Sequence, residues 1–304
     1  MNERILVIRH GALGDVVLSF GPFAAIRKHH PGAHIFLLTT APYAEFCRAS
    51  GLFDEIWLDE RPPWWRVDRV LALRERLNAG GFRRVYDLQT SDRSSAYFRL
   101  FRSPPPEWSG IARGCSHPHA NPRRDGMHTV ERQAEQLKSA GIAETPPTDL
   151  SWVKADGARF SLPAPYVLLV PGGSKHRPDK RWPVGNYAAL ATLLAKRGFG
   201  AAVLGGPDET GIAGALPGAR DLTGQTSFAD VVALARGATL AVGNDTGPMH
   251  LIAAAGCPSV VLFSSASDPA LCAPRGRAVT VLRKPDLARL SVDEVEAASS
   301  AKAR

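Results

Sequence analysis

Eight consecutive residues, Gly243-Asn244-Asp245-Thr246-Gly247-Pro248-Met249-His250, have the make-up of an anion site at a helix start. They follow the apolar run Leu240-Ala241-Val242, which reads as a strand. Pro248 fits the first helical turn, where its missing N–H costs nothing. The free N–H groups and positive dipole end of such a terminus attract phosphate. Thr246 and His250 are four apart and share one helix face. The Thr hydroxyl, the Gly247 amide and the imidazole can therefore converge on one pyrophosphate. A capped helix with a core histidine is the plainer alternative, and these residues alone leave both open.

Two other segments offer complementary chemistry. Pro171-Gly172-Gly173-Ser174 follows the apolar run Tyr166–Val170 and leads into the cationic stretch 175–181, which ends Lys180-Arg181-Trp182-Pro183. Such cations suit a diphosphate leaving group, because they stabilise charge that builds in the transition state. An exposed basic loop is the alternative, although Trp182-Pro183 suggests packing. Near the N-terminus, Arg9-His10-Gly11-Ala12-Leu13-Gly14-Asp15 follows the first apolar run. Its glycines permit a tight turn and close approach of a ligand to backbone. The G-x-x-G-D spacing is not the G-x-G-x-x-G dinucleotide fingerprint, which argues against NAD. Asp15 at a helix start can serve as an N-cap or as a general base.

Weaker signals stand elsewhere. Glu209, in Gly205-Gly206-Pro207-Asp208-Glu209, offers a carboxylate to ribose hydroxyls, or else a turn and cap. Arg61-Pro62-Pro63-Trp64-Trp65-Arg66 sets the cations Arg61 and Arg66 beside aromatics. That suits an anionic sugar acceptor or a membrane surface, and equally a packed loop. Cys115, His117, His119 and His128 fit no standard zinc spacing, so no metal site is expected.

The elements that must hold these segments alternate between short apolar runs and helical patterns, the signature of parallel sheets with crossover helices. Strands are predicted at Arg4–Arg9, His34–Thr39, Glu55–Leu58, Arg84–Leu88, Tyr166–Val170, Ala201–Leu204, Leu240–Val242, Val260–Phe263 and Val279–Leu282. Helices are predicted at Asp15–His29, Pro42–Ala49, Val67–Ala79, Thr129–Ala140, Val184–Arg197, Phe228–Arg236 and Pro248–Ala255. Residues 103–126, rich in proline, read as irregular loop. Glu144-Thr145-Pro146-Pro147-Thr148-Asp149 reads as a linker, giving an α/β chain of two Rossmann-like doubly wound domains, 1–150 and 151–304. Ligands of open α/β sheets bind beyond the carboxyl ends of the strands. Two such domains facing each other enclose a cleft there.

With 304 residues, 44% of them hydrophobic and 22% charged, the chain can bury two cores. No run approaches the ~20 apolar residues of a membrane span, and no export signal is visible. The four cysteines show no paired spacing and read as free thiols in a reducing cytoplasm. The net charge of +8 reads as spread along the chain. It points to an anionic partner or to a solvated arginine-rich surface. No nucleic-acid signature accompanies it, so nucleic acid is not an expected partner.

Three motifs in order, Ile8–Val17, Pro171-Gly172-Gly173-Ser174 with Lys180-Arg181-Trp182-Pro183, and Gly243–Leu251, resemble those of the ADP-heptose:lipopolysaccharide heptosyltransferases, glycosyltransferase family 9. Residues 60–130 carry no motif that matches. The resemblance implies a GT-B fold, with the acceptor bound by the first domain and the nucleotide-sugar donor by the second. It implies inverting, metal-independent transfer of heptose from ADP-heptose to an anionic glycolipid, the lipopolysaccharide inner core. That places the protein in the cytoplasm, with peripheral contact at the cytoplasmic face of the inner membrane. By motif position, Asp15 would be the general base and Lys180 the phosphate-binding lysine. Gly14, Ser174, Asp245, Thr246, Gly247, Pro248 and His250, with Glu209, would lie at the donor, and the amides of 246–248 would support the leaving ADP. A short C-terminal helix, Val292–Ala298, would pack back on the first domain. Another GT-B enzyme, such as a nucleotide-sugar epimerase, and a silent nucleotide-sugar-binding protein are the alternatives.

Overall fold

Continuous apolar runs form strands buried on both faces, as parallel sheets require. The computed structural model describes residues 3–173 and 176–300. The chain divides into two compact units, one of Met1–Ala12 and Ser19–Thr148, the other of Leu13–Leu18 and Asp149–Arg304. After strand β1 (Arg4–Ile8), the helix predicted as one at Asp15–His29 is two, α1 (Leu13–Leu18) and α2 (Phe20–His29). Pro22 explains the break. It has no N–H to give the Leu18 carbonyl, and its ring crowds that turn. The break falls where the chain passes from one unit to the other.

The first unit adds β2 (His34–Thr39), α3 (Ala41–Ala49), β3 (Glu55–Leu58), α4 (Val67–Ala79), β4 (Arg84–Asp87), α5 (Asp92–Ala96), β5 (Glu107–Gly110), β6 (His117–Pro118) and α6 (Thr129–Ser139). Its six parallel strands run β3-β2-β1-β4-β5-β6. Here the irregular loop expected at 103–126 is corrected. It contributes two strands, β5 beside β4 and β6 at the edge, both too short to show periodicity, although Trp108 and Ser109 of β5 are wholly buried. Leu6, Ile8, Phe36, Leu38, Trp57, Tyr97 and Trp108 form the core of one sheet face. Ser91 and Ser94 close a capping box on α5, which fixes the chain just beyond the carboxyl end of β4.

Asp87 closes β4 with no exposed surface. Burial pushes its carboxyl up to about 6, although the amides of Gln89 and Thr90 donate to it. The folded form therefore holds an extra proton between pH ~4 and ~6, and stability from this group falls as pH rises through that window. The predicted size is on the order of 2–3 kcal/mol. Asp87→Asn removes the titration and should gain on the wild type between pH 4.5 and 7.5 in urea midpoints. A pH-independent difference between the two proteins would contradict this.

The second unit contains β7 (Tyr166–Val170), α7 (Val184–Lys196), β8 (Gly200–Val203), β9 (Arg220–Asp221), α8 (Phe228–Gly237), β10 (Leu240–Asn244), α9 (Gly247–Ala254), β11 (Ser259–Phe263), α10 (Pro269–Cys272), β12 (Val279–Arg283) and α11 (Val292–Ser300). The strands are parallel in the order β12-β11-β10-β7-β8-β9. Val167, Leu169, Trp182, Tyr187, Val242 and Val260 build its core, and Val295 of α11 joins them. The C-terminal helix thus packs on α7 and β11 of its own unit, where the sequence reading had set it against the first. Among the described residues no helix is long and apolar enough to cross a membrane.

Candidate active site

In the second unit, the loops beyond the carboxyl ends of β7, β8 and β10 surround a cavity of about 330 Å3. Lys180, Glu209, Asp245, Thr246, Gly247 and Pro248 all stand in its wall. Six residues named from separate stretches of sequence therefore share one hollow. Ser174 lies outside the described residues.

Asn244, the last residue of β10, organises the rim, a role that sequence reading did not assign to it. Its Nδ2 donates to the carbonyls of Pro171 (2.8 Å) and Gly172 (3.0 Å). Its Oδ1 accepts from the Trp182 amide (3.0 Å) and the Tyr187 hydroxyl (3.0 Å). One wholly buried amide so ties the glycine turn, the cationic loop and α7 to the end of the strand. Any residue ending a strand beside two loops is a candidate for this work, which is the signal that would have found it.

Asp245, in the cavity wall, is tied to the lysine beside it. Its Oδ2 accepts from Lys180 Nζ at 2.6 Å and from Ser267 Oγ at 2.6 Å. The carboxylate thus holds the lysine in place within the wall. Thr246 caps nothing with its side chain, and its hydroxyl has no hydrogen-bond partner among the described residues. The donors at the α9 terminus are the amides of Thr246 and Gly247. Pro248 carries no N–H, so the expectation of three amides is corrected to two. Glu209 enters from the β8 side, with Oε2 accepting from the Gly206 amide at 2.7 Å. A Cβ on Gly172 would stand 2.7 Å from Glu209 Cγ, so glycine there leaves room for the carboxylate.

α1 packs on α9. Gly14 makes that approach possible, since a Cβ there would meet the His250 ring at 2.7 Å. Gly14 and the buried His250 are thus a matched contact beneath the helix start rather than part of the cavity wall. Asp15 is the third residue of α1, half-buried in its first turn. The cap position falls at Ala12, so Asp15 is not an N-cap.

The first unit has its own hollow of about 780 Å3 beyond the ends of β1, β2 and β4, with His10, Tyr43, Glu60, Arg61, Gln89 and Arg93 in its wall. Asp59, directly after β3, anchors it. His10 Nε2 lies 2.8 Å from Asp59 Oδ2, the Tyr97 hydroxyl donates to the same oxygen at 2.7 Å, and the Arg61 amide donates to Oδ1 at 2.7 Å. Burial raises the Asp59 carboxyl, but the bonds from His10 and Tyr97 outweigh it and leave the group below its usual range. Arg66 is not brought to this hollow; it is exposed and paired with Asp68 at 3.1 Å. The Cys115, His117, His119, His128 group also disperses. His119 bonds Glu135 at 3.3 Å and His128 caps α6.

A family model described as Glycosyltransferase family 9 (heptosyltransferase) matches residues 70–299. The chain is similar to Lipooligosaccharide heptosyltransferase 2 of Haemophilus ducreyi, 25% identical over 97% of this chain and 92% of that one. It is 33% identical to the protein of the same name from Haemophilus influenzae, over 39% of this chain and 36% of the relative. In fold it is similar to the Escherichia coli ADP-heptose lipopolysaccharide heptosyltransferase II, with a TM-score of 0.81, 22% identity, and coverage of 99% of this chain and 98% of that one. The two six-stranded parallel sheets are those of the GT-B architecture.

Proposed function

We propose that this chain, which belongs to glycosyltransferase family 9, the heptosyltransferases, transfers heptose from ADP-heptose to an inner-core sugar of lipopolysaccharide. The observation that carries the reading is the second-unit hollow, where Lys180, Glu209 and the start of α9 share one wall. Anion-binding helix N–H groups and a half-buried lysine suit a diphosphate. Glu209 suits ribose hydroxyls. The names of the relatives supply the sugar and the acceptor.

In this reading 149–304 with α1 binds the donor, and the first-unit hollow binds the acceptor through Arg61, joined by His10 and Arg93. Arg66 drops out of the acceptor set. The transfer is a single displacement without a metal ion. An acceptor oxygen bonds to the anomeric carbon as the bond to the diphosphate oxygen breaks, inverting that carbon. Asp15 takes the hydroxyl proton, and ADP leaves with the electron pair of the broken bond. Lys180 and the amides of Thr246 and Gly247 offset the charge that collects on the leaving diphosphate. His250 supports the helix start from below. The enzyme works in the cytoplasm, at the face of the inner membrane where a lipid-linked acceptor is met.

Calorimetric titration with ADP-heptose, UDP-sugars and GDP-sugars tests the donor side, and mass analysis of the acceptor after incubation tests transfer. Preference for ADP-heptose together with an acceptor heavier by one heptose is the expected result. Preference for a UDP-sugar would overturn the heptose assignment. Product formed without any acceptor would indicate an epimerase, and donor binding with no transfer a silent binding protein.

A further inference from the structure

We propose that the loop between β3 and α4, with the outer face of α4, docks the protein on an anionic phospholipid surface. Among the described residues the exposed large apolar side chains are Leu58, Trp64, Trp65, Val67 and Leu71, all within one short segment. Trp65 is 79% exposed and Val67 60%. Val67 and Leu71 are one turn apart and share a helix face. Scattered exposed apolar residues need no explanation, but a contiguous group marks a contact surface.

The chemistry of the patch selects its partner. Tryptophans interleaved with arginines match the headgroup layer of a bilayer, where indole rings settle at the interface and guanidinium groups reach the phosphates. Residues 60–76 hold five arginines and three carboxylates. Each carboxylate is already paired: Glu60 with Arg69, Asp68 with Arg66, Glu75 with Arg102. Arg61 and Arg74 form no ion pair among the described residues, so the patch presents net positive charge. More broadly, residues 61–102 carry ten arginines against four carboxylates. Other segments are as basic, 172–198 with six basic residues against one acidic, so the charge is spread along the chain and this patch is one of its concentrations. A second copy of the chain is a poor occupant, because a two-fold interface would set these arginines against themselves. Anionic lipid attracts them.

The patch is also continuous with the first-unit hollow. Arg93, in the wall of that hollow, lies 4.9 Å over the Trp64 ring and donates to the Pro62 carbonyl at 3.1 Å. Glu60 and Arg61 of the same loop form another part of the wall. Seating the tryptophans in a headgroup layer would hold the mouth of the hollow where the sugar of a lipid-linked acceptor stands. The choice of lipid rests on the acceptor reading given above.

The test is sedimentation with vesicles of phosphatidylcholine alone and of phosphatidylcholine with phosphatidylglycerol, none carrying acceptor. Wild type is expected to bind the anionic vesicles, more weakly as salt rises. Trp65→Ser with Leu71→Ser should weaken binding roughly ten- to a hundredfold, with either single change intermediate. Both side chains are exposed, so circular dichroism and turnover of a soluble, delipidated acceptor should not change. Wild type that stays in solution with anionic vesicles, or a double variant that binds as wild type does, would overturn the proposal. So would a self-association, seen by ultracentrifugation, that the same substitutions abolish. If vesicles bind as expected but no heptose is transferred, the acceptor reading fails while the docking surface stands.

Discussion

Asp15→Asn is expected to lower turnover by about 10²–10⁴-fold, the usual contribution of a positioned general base, with donor affinity nearly unchanged. The substitution keeps the size and shape of the side chain. The packing of α1 on α9 and the contact of Gly14 with His250 therefore survive, and with them the donor hollow. Only the capacity to accept the acceptor's proton is lost. Initial rates at saturating donor, with ADP affinity from calorimetry, separate the two effects. A purely structural Asp15 would behave otherwise. Loss of a first-turn carboxylate typically costs a helix 0.3–1 kcal/mol, so the variant would melt lower with turnover intact. That outcome would remove Asp15 from the mechanism.

The second large effect concerns Lys180, whose ammonium is 2.6 Å from Asp245 with both side chains largely buried. Lys180→Ala removes the cation that faces the diphosphate. It also strands the Asp245 carboxylate beside the same phosphates. Removing one partner of a buried pair is much worse than removing both. The single variant should thus lose about 10²–10³-fold in kcat/KM. Adding Asp245→Asn should restore part of that loss, a non-additive pattern expected of residues in contact. Asp245→Asn alone should be milder, since it loosens the lysine without removing its charge. The measurement is a double-mutant cycle on donor kcat/KM. Strict additivity, or a double variant worse than Lys180→Ala, would mean that Asp245 meets the donor itself.

Much of this architecture was legible in the residues. Uninterrupted runs such as Ile5–Ile8 and Tyr166–Val170 can be buried only on both faces, and that alone implies parallel strands between layers of helix. Glycine, proline and charge gathered after those runs pointed to the strand ends, and Glu209, Lys180 and the start of α9 do share one hollow. What stayed hidden depended on partners distant in the chain. β5 and β6 are too short to show a period. Asp59 is an ordinary polar residue until His10 and Tyr97 close on it.

Local chemistry thus marked the longer strands, named a helix start suited to an anion, and showed that the first loop is not a dinucleotide fingerprint, because each depends on residues adjacent in sequence. Tertiary packing decided the rest. It set α1 in the second unit by fitting Gly14 against His250, bound Asp245 to Lys180, and made Asn244 the tie between two loops and a helix. It also gathered Trp65, Val67 and Leu71 at one surface. Side-chain direction and long-range contact carry these outcomes, and neither is encoded in spacing along the chain.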